Sequence, residues 1–307
     1  MRALLGVEFS RILARRVTRL FAALAILGAV LAGTVLFVRS HRVDASVSQA
    51  TQVSNAREKE IAACARGEYG IDEGQIPSGM TLAEFCREFA VGLPEAPDPA
   101  FHLSHLRTVF TGTNVILMLL LMALAASFVG AEWHAGTMTT LLTWEPRRLR
   151  VLGAKLIATA VFAFVALLAV QALIALALLP SAIFHGTTSD ANGSWLRALV
   201  WFELRAAIIA AFASTLSFSI ASIGRNSAVA VGGLFGYMAV LEPIVRSARP
   251  KWQPWFIYDN VATFLTGHPV DFAINGRSMM AAGAVIAAYT ALTVAVAMAV
   301  FKRRDVG

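Results

Sequence analysis

Charge is scarce in this sequence. Asp, Glu, Lys and Arg make up 15% of the 307 residues, against 57% for the hydrophobic types. An ordinary soluble domain holds about 25% charged and roughly 45–50% apolar residues. Nucleotide chemistry is missing too: no Gly-Lys dipeptide occurs, so the chain has no Walker A phosphate loop and is not expected to bind ATP by itself. There is no Gly-x-Ser-x-Gly elbow for a serine nucleophile. Glu132-Trp133-His134 lacks the two His one turn apart that a zinc-protease helix needs. His102-x-x-His105 places two imidazoles on one helical face but offers no third ligand, so two interfacial histidines are the plainer reading. No catalytic residue, metal site or bound cofactor is expected.

What the sequence does hold is long apolar runs, and its mean hydropathy is +0.66. Six blocks stand out: Leu20–Val38, Val109–Gly130, Val151–Pro180, Leu199–Ile223, Ala228–Val245 and Met279–Phe301. Each can cross a hydrocarbon core about 30 Å thick at about 1.5 Å per residue. The third is long enough to require tilt or extension past the bilayer. The expected fold is therefore an all-α polytopic membrane protein with six transmembrane helices. The first block has no small-residue cleavage site after it, which favours a retained helix over a signal peptide.

The net charge of +7 does not point to nucleic acid, because the basic residues flank apolar blocks. Thirteen of the 26 Lys and Arg fall in short segments that share one side if the N-terminus is cytoplasmic. They are Arg2, Arg11, Arg15, Arg16 and Arg19; Arg147, Arg148, Arg150 and Lys155; Arg225; and Lys302, Arg303 and Arg304. The positive-inside rule then places both termini in the cytoplasm. Residues 1–38 are read as an N-terminal amphipathic interfacial helix plus the first span. Residues 39–107 form an extracytoplasmic cap, and 108–307 the remaining five spans with a cytoplasmic loop at 131–155 and an outer re-entrant segment at 248–278.

The cap is long, polar and mixed in charge. Its first part, Val43–Glu68, contains no Pro and suits an extended helical arm. Thr81-x-x-Glu84 is a capping box that opens a short helix through Phe89. The only cysteines, Cys64 and Cys86, both fall here. The outer face of a bacterial inner membrane is oxidising, so a disulfide is expected, with two free buried thiols as the alternative. In the re-entrant segment, Trp252, Trp255, Phe256 and Tyr258 suit an aromatic belt, and Asp259–Leu265 a short dipping helix.

Few ionisable residues fall inside the spans, and those are read as lying near the outer ends. Glu203 and Arg205 fall in the first turns of the fourth helix. Glu242 and Arg246 are spaced i,i+4 and can neutralise one another, as an interfacial ion pair or as part of a functional site. With no carboxylate expected near a midplane, an ion-coupled carrier is disfavoured. Gly232-x-x-x-Gly236 permits close helix approach, within one subunit or between two.

The stretch from Glu132 to Lys155 is the most distinctive in the chain. Glu132, Gly136, Thr137, Leu141, Leu142, Pro146, Arg147, Arg148 and Lys155 resemble the first cytoplasmic loop of ABC transporter permease subunits of the type-two exporter class. The Glu8–Arg19 segment, the six spans and the basic end at 301–305 are similar to that class as well. The large cap departs from its compact members. The resemblance implies that residues 131–155 carry a coupling helix seated on a separate ATP-binding subunit, which would hold the ATP and Mg. Gly136-Thr137 would start the helix, Met138, Leu141 and Leu142 would give its apolar face, and Pro146 would stop it. Glu132, Arg147, Arg148 and, across the next short turn, Arg225 would complete the contact. A second copy or a homologue would complete the pathway, with Phe128, Phe235 and Tyr237 as candidate substrate contacts. The rival expectations are an ion-coupled secondary transporter and a membrane sensor or assembly protein whose cap binds an outer partner.

Overall fold

The structure, a computed structural model, describes residues 2–40, 58–66, 68, 81–89, 101–137, 147–186, 188, 191–268 and 277–303. The described residues are helical, with no strand among them. In chain order the helices are α1 (Arg2–Ala14), α2 (Arg16–Arg39), α3 (Leu82–Phe89), α4 (Leu106–His134), α5 (Arg148–His185) and α6 (Gly193–Gly224). There follow α7 (Ser227–Gly236), a π-helical turn (Tyr237–Leu241), α8 (Glu242–Ala248), a 3-10 turn (Pro250–Trp255), α9 (Ile257–Thr266) and α10 (Met279–Arg303). Six helical stretches are long and apolar enough to cross a membrane, and they contain the six expected blocks. At 38 residues α5 is about 57 Å long, well beyond a hydrocarbon core of about 30 Å.

The chain divides into two compact units, and the division falls within α2 and α5. The first comprises residues 1–29, 106–174 and 192–307. Its centre is α4 against α6, whose most apolar windows are 50% and 56% buried, against 22% for α10. The contact faces are lined by Ala125, Ala126, Ala206, Ala207, Ala210 and Ala221, all buried. Small side chains let backbones approach, which is how helices associate where lipid removes the hydrophobic drive between them. At Gly130 the approach is so close that a Cβ would meet the backbone and side chain of Ser227 at the start of α7.

The fifth span runs from Ser227 to Ala248 and carries a π-helical turn at its middle. Pro243 has no N–H to give Ala239, and the helix absorbs this with a wide turn in which Glu242 N–H donates to Tyr237 O, five residues back. Between the fifth and sixth spans, α9 lies close to the short helix expected over Asp259–Leu265.

The N-terminal helix departs from expectation. An amphipathic helix would separate an apolar from a polar face, but α1 exposes Val7 and Leu13 and buries Glu8 beside Ile12. The buried carboxylate has partners on other helices, which local sequence does not reveal.

The second unit comprises residues 30–105 and 175–191. Gly33 lets the end of α2 pack directly on the Ala177 carbonyl of α5, and Phe37 stacks on His185. His185 Nδ1 lies 3.1 Å from Phe37 O and 3.4 Å from Ser40 Oγ. Thr81 and Glu84 form the expected capping box: Thr81 N–H donates to Glu84 Oε2 at 2.9 Å and Glu84 N–H to Thr81 Oγ1 at 3.3 Å. Cys64 and Cys86 are joined in a disulfide, with Cα atoms 5.8 Å apart. Of the expected arm over 43–68, residues 58–65 are helical and 43–57 lie outside the described residues.

Candidate functional site

The most heavily charged place in the first unit lies where α4 ends and α5 begins. Over about two turns, Glu8, Arg11 and Ile12 of α1 and Arg15, at the break between α1 and α2, lie on the same face. Lys155, two turns into α5, is buried, and its Nζ lies 2.8 Å from Glu8 Oε2 and 2.9 Å from both carboxylate oxygens of Glu132. Arg11 pairs with Glu8 at 3.2 Å and Arg15 with Glu132 at 3.1 Å. Arg15 also donates to the Phe128 and Ser127 carbonyls at 3.0 and 3.3 Å, and lies over the Phe128 ring. These carbonyls belong to the last turns of α4, where the helix dipole favours a cation.

Three cations therefore share two carboxylates. Removing such charges from water is costly, and only close, multiple pairing offsets it. Between these groups lies a void of ≈10 Å³, room for at most one water. Because Glu8, Glu132 and Lys155 stand on α1, α4 and α5, the cluster ties three helices at one point.

Next to it stands Arg225. It occupies the left-handed conformation (φ 51) between α6 and α7, a place usually held by Gly. Its guanidinium lies 4.6 Å from the Trp133 ring centroid, and Trp133 meets Phe301 of α10 edge-on. Glu132 and Arg225, expected from sequence to share a surface, thus stand on adjacent elements. Gly136 (φ 66) follows the end of α4 at His134, and Thr137 is the last described residue before Arg147. Met138, Leu141, Leu142 and Pro146 lie outside the described residues. Arg147 is exposed and Arg148 begins α5. Three arginines at 147, 148 and 150 oppose the dipole of α5, a local cost of a few tenths of a kcal/mol or more each.

A second cluster lies inside the helix bundle. Asn114 (α4) donates from Nδ2 to Glu203 Oε1 (α6) at 3.2 Å, and Gln171 Nε2 (α5) donates to Asn114 Oδ1 at 2.8 Å and to Thr113 Oγ1 at 3.0 Å. Asn114, Gln171 and Glu203 are all buried, and among the described residues Glu203 Oε2 has no hydrogen-bond partner. Glu203 stands ten residues from the start of α6 at Gly193, about 15 Å along the helix axis.

Glu242 and Arg246 pair at 3.0 Å as expected, and the structure adds Asp259 of α9 at 2.9 Å from Arg246. Arg246 also lies over the Phe256 and Tyr258 rings. An acidic residue in the first turn of the re-entrant helix was the available signal for that third partner. Phe128, Phe235 and Tyr237 are not brought together. Phe128 is buried against Phe162 and Arg15, Phe235 is 64% exposed, and Tyr237 opens the π-helical turn. Among the described residues no group of His, Cys, Asp and Glu is placed to hold a metal. Compared with known proteins, the chain matches no family model and no curated relative.

Proposed function

We propose that this chain is the membrane-spanning subunit of an ATP-driven exporter in a bacterial inner membrane, with both termini inside. It would work as two copies, or one copy with a homologue, and ATP and Mg would be bound on a separate ATP-binding cassette subunit. The observation that carries the reading is that Glu132 and Lys155, which bracket the 133–154 segment, meet in one buried ion cluster with Glu8. A load on the intervening loop would reach α4, α5 and α1 together instead of bending one helix. Arg147 and Arg150 support it, since cations that oppose their own helix dipole find favourable partners in acidic groups on a docked protein or in lipid phosphates.

Affinity purification of the tagged chain from its native membrane, with the co-purifying proteins identified by mass spectrometry, tests the reading. A stoichiometric complex with ATPase activity is expected, lost when Arg147 and Arg148 are both changed to Glu. Purification of this chain without any nucleotide-binding partner rejects it.

The Glu203 cluster favours a second reading, an ion-coupled carrier, because a buried carboxylate with an unused oxygen is the group such carriers employ. In proteoliposomes lacking any ATPase, that reading requires transport driven by an ion gradient and abolished by Glu203→Gln. The first reading requires none.

A further inference from the structure

A cavity of ≈170 Å³ lies wholly within the first unit, bounded by α4, α6, α7, the π-helical turn, α9 and α10. Its wall is built from Met118 and Met122 of α4, Phe212 and Ala213 of α6, Met238 of the π-helical turn and Tyr289 of α10. Three of the polar side chains that line it already have hydrogen-bond partners. Asn260 Nδ2 donates to Pro254 O and Phe256 O at 2.9 and 2.7 Å, Tyr289 OH to Trp255 O at 2.9 Å, and Thr290 Oγ1 to Ile286 O at 2.9 Å. An occupant therefore finds dispersion contacts and no hydrogen bond to replace. Apolar cavities of about 150 Å³ stay free of water and take up hydrocarbon.

Two further observations say which hydrocarbon. Val115 and Leu119 line the cavity and are also exposed, at 59% and 46%, so its mouth opens on the apolar flank of α4 that faces bilayer hydrocarbon. Tyr258 lines it at the α9 side and is 58% exposed, immediately after the 3-10 turn that carries Lys251, Trp252 and Trp255. At that turn the two buried carboxylates, Glu242 and Asp259, are taken up by Arg246. Arg249 and Lys251 are exposed, and among the described residues neither forms an ion pair. Trp252 and Trp255, 59% and 58% exposed, are the side chains that settle at a headgroup interface. The uncompensated charge beside the cavity is thus positive and stands at headgroup level.

We propose that this cavity holds one acyl chain of an anionic phospholipid, whose phosphate rests at Arg249 and Lys251. The site is independent of the exporter reading: it belongs to one chain and needs no nucleotide-binding partner. The π-helical turn helps to form it, since the extra residue widens the helix where Met238 enters the wall.

The test uses the full chain in nanodiscs of phosphatidylethanolamine and phosphatidylglycerol. A trace of phosphatidylglycerol carries a photoreactive diazirine in its acyl chain, and adducts are mapped by mass spectrometry. Adducts are expected on Met118, Met122 and the α9 segment in excess of those on Leu24 and Leu27, exposed side chains of α2. Equal labelling of the cavity wall and α2 overturns the proposal, and the native chain alone decides it. Ala213→Phe, which fills the cavity, is expected to lower the wall adducts about tenfold and leave α2 unchanged; Ala213→Leu gives an intermediate loss should the larger side chain impair folding. Unchanged wall labelling in both variants overturns it. Arg249→Glu with Lys251→Glu is expected to lower labelling by the phosphatidylglycerol probe but not by a headgroup-free diazirine alkane. If the alkane labels the wall as strongly as the lipid and the double variant changes neither, the site takes small apolar molecules and the lipid assignment falls.

Discussion

Two buried polar clusters in the same unit solve the cost of burial in opposite ways. At the junction of α4 and α5, Glu8 and Glu132 are matched by Lys155, Arg11 and Arg15, and every charge has an opposite within 3.2 Å. Within the bundle, Glu203 accepts from the Asn114 amide, which in turn accepts from Gln171, and among the described residues its other oxygen has no hydrogen-bond partner. The first arrangement gains from Coulomb attraction at close range and loses heavily if one member is removed. The second relies on neutral hydrogen bonds, each worth about 1 kcal/mol net, and tolerates chemical change better. A tie between helices that must move together suits the first arrangement. A group whose state is to change suits the second.

Lys155→Met breaks the comparison most severely, because it removes the buried cation that Glu8 and Glu132 share. It is expected to cost about 3–5 kcal/mol, read as a lowered thermal unfolding midpoint in detergent, and a further Glu8→Gln change should recover part of it. Opening the Cys64–Cys86 bridge by Cys64→Ser with Cys86→Ser touches the other unit and is expected to cost about 2–5 kcal/mol. Limited proteolysis should show cleavage confined to residues 41–100, with the spans protected; cleavage within the spans would show that the bridge also supports the membrane helices. Glu203→Leu leaves Asn114 Nδ2 unpaired and is expected to cost about 1–3 kcal/mol, whereas Glu203→Gln, which keeps the acceptor, should change stability by less than about 1 kcal/mol. A loss on Glu203→Gln as large as that of Lys155→Met would show that both clusters depend on charge. The smallest effect is expected at Arg225→Gly. Loss of the contact with Trp133, about 0.5–1 kcal/mol, is offset by relief of the left-handed conformation, about 1 kcal/mol. Near-unchanged stability with reduced partner binding in the affinity purification would place Arg225 at the docking surface.

Features that depend on neighbours along the chain were legible in the sequence. The capping box at Thr81 and Glu84 and the pair Glu242–Arg246 are three and four residues apart, spacings that one helix turn enforces. The disulfide was legible because only two cysteines exist to pair. The charged clusters were not. Glu8 meets Lys155 across 147 positions, Arg15 meets Glu132 across 117, and Asn114 meets Glu203 across 89. A soluble helix shows its inner face by the contrast between apolar and polar residues. A membrane helix is apolar all round, so nothing along α5 or α6 marks the side that faces a neighbour. The start of α6 was not legible for a related reason: hydropathy locates an apolar block, but the first turns of α6, from Gly193 to Ala198, are helical without being strongly apolar.

The amino-acid order by itself determined that this chain forms six helices long enough to cross a bilayer, because unsatisfied backbone groups in hydrocarbon leave no other economical structure. It also determined where charge accumulates beside those helices. Only the tertiary structure decided which charges meet, that Glu132 and Lys155 close on Glu8, and that Glu203 has amides rather than a cation beside it. Pairing of buried groups is set by which helix faces touch, and that is a property of packing between helices and not of any one of them.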